Sequence, residues 1–259
     1  MNLQLENKTA LVTGSTKGIG FAIAQLLAAE GAKVIINGRS VASVQAAAQK
    51  IGQGARGVAA DVSTATGCAE LVRQLPRVDI LVNNAGIFEP KPFTEISDAD
   101  WERFYQVNVM SGVRLTRTYL PGMLQQNWGR VIFMSSESGV QIPEEMIHYG
   151  MTKAAELALV NGVSQLTKHT DVTVNAVLPG PTASEGVTDF VNTLAAAAKQ
   201  TPGEFEKEFF SKVRPTSLLQ RFATVTEVAN AVAYLCSPLA SATNGAAVRV
   251  DGGVLRATT

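Results

Sequence analysis

Short runs of β-branched and apolar residues alternate along the chain with longer segments of helical period, and this restricts the fold more than any other feature. The pattern suits a parallel sheet in which each strand is followed by a helix that crosses back over one face. Strands are predicted over residues 9–12, 33–37, 57–60, 80–83, 130–135, 173–177 and 247–250. Helices are predicted over 19–29, 40–51, 98–124, 149–167 and 225–235. Right-handed crossovers make this a doubly wound α/β sheet with helices on both faces, so a ligand crevice is expected outside the carboxyl ends of the strands.

At 259 residues the chain is long enough for one substantial core, and a single domain over 1–259 is expected. Lysine plus arginine and aspartate plus glutamate number 22 each, which provides no pull toward nucleic acid or an anionic membrane. Residues 1–8 are polar, and no apolar run approaches a membrane span, so a cytoplasmic protein is expected. Cys68 and Cys236 lack metal-site spacing and read as reduced, semi-buried thiols; no metal site is expected.

Directly after the first strand come Thr13, Gly14, Ser15, Thr16, Lys17, Gly18, Ile19 and Gly20, which open into a helix. Glycines let a backbone approach a pyrophosphate closely, and the free amides and dipole of the helix N-terminus favour its charge. A tight strand-to-helix turn would need the same glycines for its backbone angles alone. The spacing is not the common G-x-G-x-x-G, but it fits TGxxxGIG at every fixed position. In this the chain resembles the short-chain dehydrogenase/reductase family, whose members are Rossmann-type nicotinamide-dependent oxidoreductases.

Dinucleotide folds inspect the adenosine ribose at the end of the second strand, with an acid for a free 2′-hydroxyl and a base for a 2′-phosphate. Here that strand ends Asn37-Gly38-Arg39-Ser40, with no carboxylate. Arg39 can fork two donors onto a phosphate and Lys17 adds charge, so NADP(H) is expected over NAD(H). The resemblance implies that Asp61 and Val62 bracket the adenine. It also implies that Asn83, Ala85 and Gly86, in the NNAG run 83–86, support the sheet and line the ribose.

Tyr149 and Lys153 stand four apart in a helical segment and share a face, where an ammonium favours the neighbouring phenolate. Carbonyl reduction needs a proton at oxygen, which an activated tyrosine can give. The resemblance adds Ser136, which would hydrogen-bond the substrate oxygen, and Asn108, which would hold a water leading from Lys153 to solvent. Ser135 and Ser138 stand close enough to be confused with Ser136, and loop serines commonly serve the backbone. His148 reads as a structural or pocket-edge residue, since helix neighbours face apart.

After the sixth strand, Pro179 and Gly180 fit the family pattern, while Thr182 and Ser184 depart from it at the positions implied to touch the nicotinamide amide. Residues 182–219 fit no strand-helix unit and carry Phe190, Phe205, Phe209 and Phe210, which read as a substrate lid. The resemblance points toward 3-oxoacyl-thioester reductases. The turn 125–129 carries no extra basic residues, however, which favours a free carbonyl compound or a coenzyme A thioester over a carrier-bound one. An alcohol or polyol dehydrogenase using NAD stays open, as does a silent cofactor-binding regulator. The resemblance implies a homotetramer or homodimer paired through the segments 98–124 and 149–167, with a small carbonyl or alcohol compound as substrate.

Overall fold

In the computed structural model, which describes residues 2–197 and 200–257, strands and helices alternate almost without exception. In chain order they are β1 (Thr9–Val12), α1 (Gly18–Ala29), β2 (Lys33–Gly38), α2 (Val41–Ile51), β3 (Arg56–Ala59), α3 (Ala65–Gln74) and β4 (Ile80–Asn83). Then follow α4 (Asp98–Phe104), a π-helical turn (Tyr105–Met110), α5 (Ser111–Gln125), β5 (Gly129–Met134), α6 (Ile147–Ser164) and β6 (Val172–Pro179). The last third holds β7 (Thr182–Ala183), α7 (Glu185–Ala197), α8 (Pro202–Lys212), β8 (Ala223–Thr224), α9 (Val225–Cys236) and β9 (Ala247–Val250).

The seven-stranded sheet has the order β3-β2-β1-β4-β5-β6-β9, and every pairing in it is parallel. Strand order reverses between β1 and β4, where a doubly wound sheet opens its crevice. Such strands are covered on both faces and so read as unbroken apolar runs. Val12, Ile36, Val82 and Ile132 pack with α1, α2 and α9 on one face. Leu11, Ile35, Leu81 and Phe133 pack with α3, α5 and α6 on the other. Cys68 and Cys236 are fully buried rather than semi-buried.

Two expectations need correction. Residues 182–219, expected to fit no strand-helix unit, form the short strand β7 and the helices α7 and α8. The second helix starts at a capping box in which Thr201 and Glu204 satisfy each other's amides. Phe209 and Phe210 pack with Phe222, and Phe210 is fully buried, so these rings serve the helices' own packing; the Phe190 side chain lies outside the described residues. The expected helix 98–124 is interrupted by the π-helical turn, and π-turns of this kind concentrate at functional sites.

Candidate active site

The crevice is built from the turns at the carboxyl ends of the strands. After β1, Gly14 and Gly18 take left-handed backbone angles, with φ of 59° and 60°, and a Cβ on Gly20 would come within 2.4 Å of Asn84 Nδ2. Asn84 Nδ2 donates to the carbonyls of Thr13 and Gly14, while Thr13 Oγ1 accepts from the amides of Asn84 and Ala85. The glycine loop and the NNAG turn are thereby one braced unit. Ser15 turns inward: its hydroxyl donates to the Val12 carbonyl and accepts from the Asn37 amide, so it braces β1 against β2.

Helix α1 begins without a side-chain cap and with no acid in its first turn. Instead the Gly18 amide donates at 2.6 Å to Glu185 Oε2 from the start of α7, and Ser184 packs over Gly18. A distant carboxylate therefore sits at an uncapped helix N-terminus, the chemistry that a phosphate also satisfies. The cradle fits a dinucleotide's pyrophosphate on that ground.

At the end of β2, Gly38 lies under Thr16, and Arg39 and Lys17, the residues next to these two in the chain, are both exposed. After β3, the Asp61 carboxylate accepts from Ser63, its carbonyl accepts from Thr64 at the cap of α3, and Val62 is buried. Asn83 is buried and donates to Thr116 Oγ1, which ties β4 to α5. Beyond β6, Gly180 is pressed against the Asp251 carbonyl, Thr182 Oγ1 donates to the Gly180 carbonyl, and Pro179 pairs with Val250 of β9.

The four residues implied for proton handling fall at one corner. Asn108, inside the π-turn, accepts from the Ile87 amide at 2.8 Å and donates to the Ile87 carbonyl and to Thr152 Oγ1. It locks the segment after β4 to α6. Gly86 lies between Asn108 and Lys153, since a Cβ there would be 3.6 Å from Asn108 Oδ1 and 3.7 Å from Lys153 Nζ. Ser136 stands beside the Tyr149 phenol with its own hydroxyl donated to Glu137, whereas Ser135 Oγ donates to the Lys153 carbonyl and Ser138 Oγ donates to Glu137. Ser135 is thereby set apart, turned to the backbone of α6, while Ser136 and Ser138 share the Glu137 carboxylate. Burial pushes the Tyr149 phenol up, against the pull of the Lys153 charge and the Ser136 hydrogen bond. His148 is fully buried against Phe104 and Trp101, and burial holds its pKa below the ordinary value.

Three further acids and one base belong to this site, and of the four only Glu156 carries a local signal in the sequence. Glu137 is buried beside Ser136, accepts its hydroxyl at 2.5 Å, and pairs at 3.1 Å with Arg214 from the segment after α8. Glu156 is buried three residues after Lys153 and pairs with it. Glu185, at the Gly18 amide, is the third acid. The i, i+3 spacing of Lys153 and Glu156 on one helix was a readable signal; Arg214 and Glu185 reach their partners across 77 and 167 residues, which no local pattern encodes.

The family model described as short chain dehydrogenase matches residues 8–195, which include the glycine loop, the NNAG turn and the Ser136, Tyr149 and Lys153 corner. The chain belongs to the short-chain dehydrogenase/reductase family. It is 49% identical to the uncharacterized oxidoreductase YvaG of Bacillus subtilis (strain 168), over 99% of both chains. It is 36% identical to the 3-oxoacyl-[acyl-carrier-protein] reductase FabG of Aquifex aeolicus (strain VF5), over 98% of this chain and 100% of that one. Among solved structures, the L-sorbose reductase from Gluconobacter frateurii, complexed with NADPH and L-sorbose, matches with a TM-score of 0.91 at 31% identity, over 99% of this chain and 100% of that one. As a member of the short-chain dehydrogenase/reductase family, the protein is an NAD(P)-dependent oxidoreductase acting on small molecules. Among the described residues no helix is long and apolar enough to cross a membrane.

Proposed function

We propose that this enzyme reduces a ketone or 3-oxoacyl-type compound with NADPH, and that Tyr149 gives the proton. The observation that carries the reading is the corner where the Lys153 ammonium stands 5.7 Å from the Tyr149 ring centre, with Ser136 and Gly86 alongside. Bound cofactor would supply hydride to the carbonyl carbon. In this reading Gly14 through Gly20 and the start of α1 hold the pyrophosphate, and Arg39 with Lys17 takes the 2′-phosphate. Asp61, Val62, Ala85 and Gly86 line the adenosine half, while Thr182 and Ser184 stand at the nicotinamide end. Tyr149 protonates the substrate oxygen, Ser136 orients it, and Lys153 favours the phenolate that is left behind. Asn108 keeps the wall beside Lys153 in place.

Two apolar side chains flank the tyrosine and support a carbonyl compound with an apolar arm. Phe88 lies 6.4 Å from Tyr149 ring to ring, Ile142 packs on Gly150, and both are about half exposed. Pairing of copies through α5 and α6 into a dimer or tetramer, and a cytoplasmic setting, belong to the same proposal. The test is Tyr149→Phe, assayed by NADPH oxidation against ketones, 3-oxoesters and ketoses. Cofactor binding, read by fluorescence, should stay near wild type while turnover falls by roughly two to four orders of magnitude. Near-normal turnover would remove Tyr149 as the donor.

A further inference from the structure

Lys153 is buried, and its ammonium donates to the Met134 carbonyl at 2.7 Å and to the two carboxylate oxygens of Glu156 at 3.0 and 3.2 Å. The lysine thus meets the tyrosine not as a free cation but as one half of a buried ion pair whose other half rides the same helix face. Two opposite charges at that distance largely cancel each other's field at a third group, and burial makes the cancellation matter because little water screens it.

We infer that Glu156 is a positioning residue of the reaction, holding the Lys153 ammonium by two hydrogen bonds and thereby setting how strongly that charge acts on the Tyr149 phenol. The inference rests on Tyr149 as proton donor. Other charged groups reach the phenol from one direction only among the described residues. Glu137, in the turn after β5, faces it with its own charge matched by Arg214 from the segment after α8. Glu137 and Glu156 both push the phenol up, and Lys153 pulls it down. Burial works against the Lys153 charge, but Glu156 and Tyr149 together outweigh it and hold the ammonium above its ordinary pKa. The Glu156 carboxyl itself is pushed up to about 7 by burial, against the pull of Lys153. Its charge therefore grows as pH rises through neutrality, and the growing negative charge keeps the phenol protonated. A proton donor for reduction benefits from that sign.

Glu156→Gln keeps the size and one acceptor for Lys153 but removes the charge, so the ammonium acts on the phenol unopposed. The holoenzyme saturated with NADP⁺ is titrated by tyrosinate ultraviolet absorbance, with the same titration of Tyr149→Phe in each background subtracted. The Tyr149 midpoint should fall by about one pH unit in E156Q, with E156D between E156Q and wild type. A midpoint in folded E156Q equal to wild type overturns the inference. If E156Q does not fold, wild type against E156D decides: a part-way displacement supports it and superimposed curves overturn it. A merely structural carboxylate would alter stability without moving the midpoint. Failure here is separable from failure of the proposed function, because an inactive Tyr149→Phe combined with an unmoved midpoint removes only the role of Glu156.

Discussion

Cofactor choice is decided at the scale of single side chains. Arg39 is exposed at the end of β2, where a carboxylate would mark a free ribose hydroxyl, and no acid stands there. Charge-assisted hydrogen bonds contribute about 1.5 to 3 kcal/mol each, and tenfold in affinity is about 1.4 kcal/mol. Arg39→Ala should therefore raise the KM for NADPH by roughly 10- to 100-fold and leave that for NADH nearly unchanged. Steady-state kinetics with both cofactors read this directly, and a wild-type preference for NADH would defeat the charge argument. An inversion of preference through Gly38→Asp meets an obstacle that the bare sequence hides. A Cβ on Gly38 would stand 2.7 Å from the Thr16 methyl and 3.2 Å from Val44, so the acid needs Thr16→Ser beside it. That Arg39 stands just past the end of β2 could be read from the sequence, because the second apolar run stops shortly before it. The space above Gly38 could not, since it is set by a loop residue far away in the chain.

At the scale of elements, the sheet was legible and the cap over it was not. Strands β1 and β4 fall at the expected residues because strands covered on both faces leave nearly unbroken apolar runs, and the edge strand β9 also falls where expected. Helices α7 and α8 were hidden by the clustered phenylalanines, which suggested an apolar lid and drew attention away from the Thr201-x-x-Glu204 capping signal. The helix α7 also carries a testable duty. Its Glu185 carboxylate occupies the amide at the start of α1, so under the proposed function an incoming pyrophosphate would have to displace it and would be repelled by it. Glu185→Gln should tighten cofactor binding by roughly 3- to 10-fold, as read by fluorescence titration. Weaker binding in this variant would mean that Glu185 helps to hold the cofactor instead of standing in for it.

The whole molecule is tied together by a buried cation that has no carboxylate partner in its hydrogen bonds. Arg130, at the start of β5, is almost fully buried and donates to the carbonyls of Gly129, Asp171 and Ser237, with the Trp128 ring 4.8 Å away. Ser237 Oγ in turn donates to the Leu3 carbonyl, so one guanidinium links the middle of the sheet, the approach to β6, the end of α9 and the first residues. Arg130→Met keeps much of the stem but strands those carbonyls, and urea unfolding should show a loss of about 2 to 4 kcal/mol. An unchanged midpoint would show that water replaces the guanidinium without cost. The strand order has a different kind of consequence, for how the protein comes into being. A growing chain folds from its amino end. Strands β1 to β4 and the Thr13–Asn84 brace are all synthesised before residue 87, so the phosphate cradle belongs to the early chain. Gly180, by contrast, waits for Asp251 near the carboxyl end. Under the proposed function, a ribosome stalled midway would thus carry the pyrophosphate cradle without the nicotinamide end, and the two could join only once Asp251 has been made.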